Sequence, residues 1–249
     1  MRRLGRALGL AGLLAIGTAR AEGDALAGVR AALQQFGGKA PISGVLERAV
    51  TSERKERPLE AGRATLDVTA GPAGISIGYP AAVLDQLRVE AADTDPEKPK
   101  PVRRTLQDFD AIEAGNMLNG APALLNDLDG ATLRSESAAT WEGRPARLLE
   151  LDLVLRVSKA DQKWVKTAQR TMKLWVDADG VPLAAESESE FVVGLLIFTF
   201  DARESRSQTF ARIGDRLATL RRSTKFDGEG LGESTHLVTD TTLRVKNGG

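Results

Sequence analysis

The chain has 249 residues, 34 Lys+Arg against 34 Asp+Glu, one histidine and no cysteine. Without an excess of basic residues it has no electrostatic footprint for nucleic acid or for docking on anionic lipid by charge. Without cysteine it has neither disulfides nor the acylated cysteine of a bacterial lipoprotein, so its stability must come from a packed core.

Arg2, Arg3 and Arg6 precede the apolar stretch Ala7 to Ile16, which is followed by Ala19-Arg20-Ala21. This is the layout of a secretory signal peptide, positive start, short apolar middle and small residues before the cut. The apolar stretch is shorter than the roughly 20 residues of a membrane span. Cleavage after Ala21 would leave a mature chain beginning Glu22-Gly23-Asp24, with 30 basic against 34 acidic residues. Residues 22–249 carry no long low-complexity linker and no internal repeat and are expected to form a single soluble domain, exported and periplasmic, without stable membrane insertion.

Asp24 to Phe36 reads as a first helix, with Leu26, Val29, Leu33 and Phe36 at helical spacing and Gly37-Gly38 as its stop. Ile42 to Ser52, Ala61 to Ala70 and Ile75 to Tyr79 have strand character. Pro80 to Ala92 returns to helical spacing through Val83, Leu84, Leu87 and Ala91. Asp93 to Arg104, rich in proline and charge, reads as an exposed loop. Leu106, Phe109 and Ile112 define another amphipathic helix, ended by Gly120 and Pro122, and Ala123 to Leu128 adds a last turn or two. From Ala131 onward the pattern is strand: Leu149, Leu151, Leu153, Leu155 and Val157 alternate with Glu150, Asp152, Val154 and Arg156. Arg170 to Val176, Leu183 to Phe200, Arg203 to Ile213, Arg216 to Phe226 and Leu237 to Val245 continue it. Long antiparallel strands and few helices predict an α+β fold: one large curved antiparallel sheet, an incomplete β-barrel, wrapped around a few helices, its other face in water.

No constellation for catalysis stands out, and the chain is read as a non-enzyme without cofactor or metal. His236, the lone histidine, has no cysteine and no nucleophile elbow to work with and reads as structural or exposed. Asp177-Ala178-Asp179-Gly180 begins like a calcium loop, but Val181 and a strand-bound Glu188 occupy the later ligand positions, so it reads as a turn. Glu186, Glu188 and Glu190 share a strand face, read as solvated and paired with arginines such as Arg203 and Arg206. Gly228, Gly230 and Gly232 open no helix and read as a flexible turn. Trp141, Trp164 and Trp175 do not interleave with basic residues and read as core or rim aromatics. Phe191 to Phe200 has large apolar residues at both parities. As one strand it is buried on both sides, is flipped by a bulge at Gly194, or sets one face against an apolar ligand or partner chain.

The segment Met172-Lys173-Leu174-Trp175-Val176-Asp177-Ala178-Asp179-Gly180-Val181-Pro182-Leu183 resembles the Leu-Trp-Val-Asp…Gly-x-Pro hairpin of the periplasmic lipoprotein carrier and sorting family (LolA/LolB-like). Gly143 to Leu151 is similar to the Gly-x-x-Ala-x-Leu-Leu-x-Leu strand that precedes it there. The resemblance implies an incomplete β-barrel closed by helices around an apolar cavity, which takes lipid or lipoprotein acyl chains in envelope trafficking. The cavity candidates are Leu149, Leu151, Leu153 and Leu155 facing Leu106, Phe109 and Ile112. The alternative is a structural or interaction module of the envelope with a filled core and a protein partner.

Overall fold

The computed structural model describes residues 18–55, 59–95, 98–155, 164–195, 198–230 and 232–246. Ten strands form one antiparallel sheet in the order β3-β2-β1-β10-β9-β8-β7-β6-β5-β4. They are β1 (Ile42–Arg54), β2 (Glu60–Gly71), β3 (Gly74–Gly78), β4 (Thr132–Trp141), β5 (Arg144–Asp152), β6 (Val165–Val176), β7 (Pro182–Leu195), β8 (Phe198–Ile213), β9 (Arg216–Gly230) and β10 (Glu233–Val245). The edge strands β3 and β4 are not paired with each other, so the sheet is an open half-barrel. Helix α1 (Thr18–Gln34) precedes the sheet, and α2 (Ala81–Ala92), α3 (Pro101–Leu106), α4 (Ala111–Leu118) and α5 (Ala121–Leu128) lie between β3 and β4. The expected incomplete barrel around a few helices is the architecture observed. No described helix is long and apolar enough to cross a membrane.

Two apolar clusters fill parts of the concave face. In the first, Leu26, Val29, Leu33 and Phe36 of the first helical segment and Leu124 and Leu128 of α5 pack on Leu149, Leu151, Met172, Leu174 and Val176. In the second, Met117 and Leu118 of α4 pack on Leu46, Leu66, Val68 and Leu243. Polar groups tie the helices down between them. Asn119 donates from Nδ2 to the Phe36 carbonyl at 3.1 Å and accepts from the Leu217 N–H at 3.1 Å, joining the end of α1, the α4–α5 corner and β9. Arg30 donates to the Leu128 carbonyl at the end of α5. Helix α3 sits directly on β2 because residue 62 is glycine: a Cβ there would lie 2.1 Å from the Pro101 carbonyl oxygen.

Several expected elements are placed differently. Helix α1 starts at Thr18, ahead of the expected cleavage point, and residues 1–17 lie outside the described residues. Leu106, Phe109 and Ile112 do not share a helix. The chain breaks between α3 and α4, where Asp110 accepts from the Glu113 N–H at 2.8 Å and starts a new helix. Pro101 opens α3 inside the stretch read as loop, since proline suits the first helical turn. The apolar side expected on α2 is mostly exposed, and its one buried residue is Glu90. Its carboxylate accepts from the Val102 and Arg103 N–H groups at 3.0 and 2.8 Å, capping α3 from a neighbouring helix. The stretch Leu183 to Phe200 is two strands: β7 and β8 pair through Val193 opposite Phe200 and Gly194 opposite Thr199. This hairpin puts Phe191, Val193 and Phe200 on one face, so the double parity marks a turn and Gly194 holds regular register. Leu196 and Ile197 lie outside the described residues, as do Arg156 and Val157. Gly228 and Gly230 belong to β9, where Phe200 and Phe226 lie against the space a Cβ would take.

Leu174 is fully buried between the sheet and the helices. Leu174→Ala is expected to cost about 2–5 kcal/mol, read as a lowered urea midpoint with an unchanged slope. Asp215, in the β8–β9 turn, accepts from the Lys39 and Ala40 N–H groups at 2.7 and 3.2 Å, and these bonds, Lys39's first, hold its carboxyl below the usual range. A depressed native value stabilises the fold above the ordinary carboxylate range, near pH 4, and that contribution fades as pH falls through the native value. Asp215→Asn should therefore flatten this part of the acid-unfolding profile while the remaining carboxylates keep theirs.

Candidate functional site

The strand register gives the concave face its chemistry. One row across the sheet reads Arg48, Thr241, Arg222, Gln208, Ala185, Leu174, Leu149. The next reads Val50, Thr239, Thr224, Arg206, Ser187, Met172, Leu151. Each row is apolar at β5 and β6, where α1 and α5 cover it, and polar from β8 to β10, with Arg48 extending the first row's polar part to β1 and Val50 ending the second. Period-two alternation puts the arginines at 48, 206 and 222 on the inside of their strands.

The polar part is not filled. A cavity of about 380 Å³ lies between it and the helices, with Asn116, Ala123, Leu124 and Asp127 of α4 and α5 on one wall and Arg48, Arg206, Gln208, Arg222, Thr224 and Leu237 on the other. A second cavity of about 330 Å³ shares Asp127 and Arg206 as walls and adds Val154, Leu155 and Phe191. Both cavities of this chamber mix charged and apolar walls, the second setting Arg170, Ser189 and Glu204 beside Leu155 and Phe191.

Charges on the helices meet charges on the sheet. Arg222, 7% exposed, donates from Nη1 to both Glu113 oxygens at 2.6 Å. Gln208, its amide oxygen turned toward Arg222, accepts from Nε and Nη2 at 3.1 and 3.2 Å. Arg170 of β6 pairs with Asp127 of α5 at 3.0 Å. Arg206 pairs with Glu204 at 2.8 Å, and its Nε is buried without a hydrogen-bond partner. Arg48, 8% exposed, donates from Nε to the Thr105 carbonyl at 2.8 Å, reaches the Thr241 hydroxyl at 3.4 Å and lies over the Phe109 ring at 5.7 Å. Burial pulls its guanidinium below the ordinary arginine value, the charges of Glu113 and Asp108 oppose this, and Arg222 adds to it.

The residues named from sequence as cavity walls are not brought together. Leu149, Leu151 and Leu153 belong to the filled cluster under α1 and α5. Phe109 belongs to the second cluster, with Leu106 partly buried against it. Ile112 is 73% exposed, because α4 turns Ala114, Met117 and Leu118 inward instead. Leu155 alone of the seven lines the chamber. Sequence reading missed Arg48, Arg206 and Arg222. The available signal was parity: Arg48 falls on the inward period of Ile42, Leu46 and Val50.

The outer face has a different character. Glu53, His236, Asp227, Arg203 and Glu190 stand side by side across five strands and border a hollow of about 760 Å³. Arg203 pairs with Glu188 and Glu190, and His236 Nδ1 lies 2.5 Å from Asp227, all in exposed positions. This is a solvated strand face. Arg206, expected to share it, points inward because it is three residues from Arg203. Asp177 closes its turn by accepting from the Asp179 and Val181 N–H groups. Among the described residues no group of three or more acidic or histidine side chains is arranged to hold a metal. Trp141 and Trp175 pack together with ring centroids 4.9 Å apart.

No protein-family model and no curated protein matches the chain. Among solved structures it is similar to a DUF1329 family protein from Desulfovibrio piger, at 13% identity and TM-score 0.34 over 92% of this chain and 94% of that one. It is also similar to a LolA superfamily protein from Nitrosomonas europaea, at 14% identity and TM-score 0.25 over 90% and 93%. A third is MucB, solved in complex with MucA(peri), at 10% identity and TM-score 0.20 over 90% and 94%.

Removing Glu113 would leave the Arg222 guanidinium buried and half-satisfied. Glu113→Ala is expected to destabilise the fold by about 3 kcal/mol in urea denaturation, whereas Glu188→Ala at the exposed pair should cost less than about 1 kcal/mol.

Proposed function

We propose that the chain is an exported, non-catalytic binding protein of the envelope that holds a lipid or the acyl chains of a lipoprotein within its half-barrel. In this reading residues 1–21 are a cleaved signal peptide and residues 22–249 a single LolA/LolB-like domain acting in the periplasm. The observation that carries it is the space left between the concave face and the roof of α4 and α5, about 380 Å³ and 330 Å³ in two adjoining cavities. Everything else on that face under α1 and α5 is packed solid, as protein interiors are. Leu124 and Leu237 in one cavity and Leu155 and Phe191 in the other give an alkyl chain apolar wall among the charged groups, and burying such a chain is worth about 0.8 kcal/mol per CH₂. Beside its apolar packing, α4 holds the sheet through the Glu113–Arg222 ion pair, a tie that a ligand can exchange for its own contacts.

Native mass spectrometry of the mature protein purified from the envelope, followed by organic extraction, tests this. Near-stoichiometric phospholipid or acylated peptide is the expected result. A clean apo mass together with no uptake of added fluorescent fatty acid would overturn the proposal and favour the interaction module. Ala123 lines the chamber from α5, and Ala123→Trp should reduce fatty-acid uptake about tenfold or more with the far-UV spectrum unchanged.

A further inference from the structure

The two edges of the sheet are finished differently. Edge strand β4 carries Arg134 and Glu136 and a bulge between Leu133 and Ser135, devices that keep an edge from pairing with another chain. β3 has none of them. Gly74-Ile75-Ser76-Ile77-Gly78 carries no charge and no proline, pairs with β2 in unbroken register, and is exposed at every position except the half-buried Ile77. The two-residue turn Pro72-Ala73 pairs Gly71 with Gly74, so the alternation of an antiparallel ladder turns the N–H and C=O groups of Ile75 and Ile77 away from β2. Among the described residues no strand takes them up.

The strand is also its own complement. Gly74 to Gly78 reads the same in both directions, and the match extends to Pro72 and Pro80. An antiparallel copy centred on Ser76 sets Ile75 against the partner's Ile77 and Gly74 against the partner's Gly78. Each isoleucine pair can then exchange main-chain hydrogen bonds through groups that already point outward. Ser76 lies on the two-fold axis, and no charges of β3 oppose one another across it. On the concave side, in the row of Ile42, Ala70 and Ile75, a hollow of about 710 Å³ has a mainly apolar wall that also includes Pro72, Ala73 and Val245. The same register sets the partner's Tyr79 opposite Ala73. Tyr79 is exposed and continues the parity of Ile75 and Ile77, so it is brought over that hollow.

We infer that β3 is a self-association edge: two copies pair through Gly74–Gly78 in antiparallel register about a two-fold axis at Ser76, and each lays its Tyr79 over the other's apolar hollow. This goes beyond the ligand reading and does not depend on it. A row of outward main-chain groups selects an extended strand as its occupant. A two-fold contact needs a surface that matches itself, and a palindromic strand supplies that at every position, which selects a second copy. The contact is small, about four main-chain hydrogen bonds and two tyrosine rings. It belongs to the weak class of interfaces, with a dissociation constant expected on the order of 10 μM.

Sedimentation velocity of the mature chain between about 1 and 200 μM tests this, and should show a monomer passing into a dimer. Ser76 is exposed on the convex side, so Ser76→Lys and Ser76→Glu should keep the parent far-UV spectrum. Each variant alone sets like charges face to face on the axis and should weaken association about tenfold or more. Mixing the two sets opposite charges across the axis and should restore a dimer containing one copy of each. Tyr79→Ala should weaken association about threefold or more and serves where a Ser76 variant fails to fold. A parent that stays monomeric throughout would overturn the second copy as occupant and give the edge to an extended chain of another protein. A dimer unmoved by both Ser76 variants would overturn β3 as the contact. Loss of the dimer in both variants without recovery on mixing would overturn the two-fold register.

Discussion

The pairing of the first strand with the last is the constraint on which the rest of the structure depends. From Gly44 opposite Val245 to Arg54 opposite Thr235, β1 and β10 join a three-stranded N-terminal sheet to a seven-stranded C-terminal meander. This leaves β3 and β4 as the two edges, and the chain between them must cross from one edge to the other. It does so as α2 to α5, over the concave face. The helical roof is therefore a consequence of sheet order: with β3 and β4 adjacent, the connection would be a short turn and the trough would stay open. The same pairing brings Arg48 of β1 into one row with Arg222 and Gln208, far away in sequence.

The roof is too small for the sheet it covers. α1 and α5 fill the trough over β5 and β6 with leucine, valine and methionine, and α4 fills a second part over β1 and β2. Between these clusters the helices reach the sheet through carboxylates, Glu113 to Arg222 and Asp127 to Arg170. Ion pairs of this kind do not collapse space as apolar side chains do, since each charge keeps its own directed partners and loses by further desolvation. An unfilled polar chamber beside two solid cores follows from that difference.

The carrier-like expectation of an apolar cavity is thus shifted in place and in chemistry. The leucines of β5, conspicuous in sequence, form a packed interior with α1 and α5. The cavities lie farther along the sheet, from β6 to β1, and their walls mix charged side chains with Leu124, Leu155, Phe191 and Leu237. Neither feature is a property of any single segment. Both come from which helix lands on which part of a cross-strand row.

Local pattern sufficed for the strands, the antiparallel class of the sheet, the first helix and the shortage of helical cover, because side-chain periods of two and 3.6 are written into neighbouring residues. It also sufficed to rank His236, the Asp177 turn and the outer glutamates as surface chemistry. It did not suffice where an end or a partner decides: the Asp110 cap that splits Leu106 from Ile112, the hairpin between Val193 and Phe200, and Glu90 buried in α2 to cap α3. Arg48, Arg206 and Arg222 carried the parity of inward positions, yet parity names a face and not what covers it. Only the tertiary structure decided that, because burial and bonding partners are supplied by residues distant in the chain, Glu113 for Arg222 and the Thr105 carbonyl for Arg48.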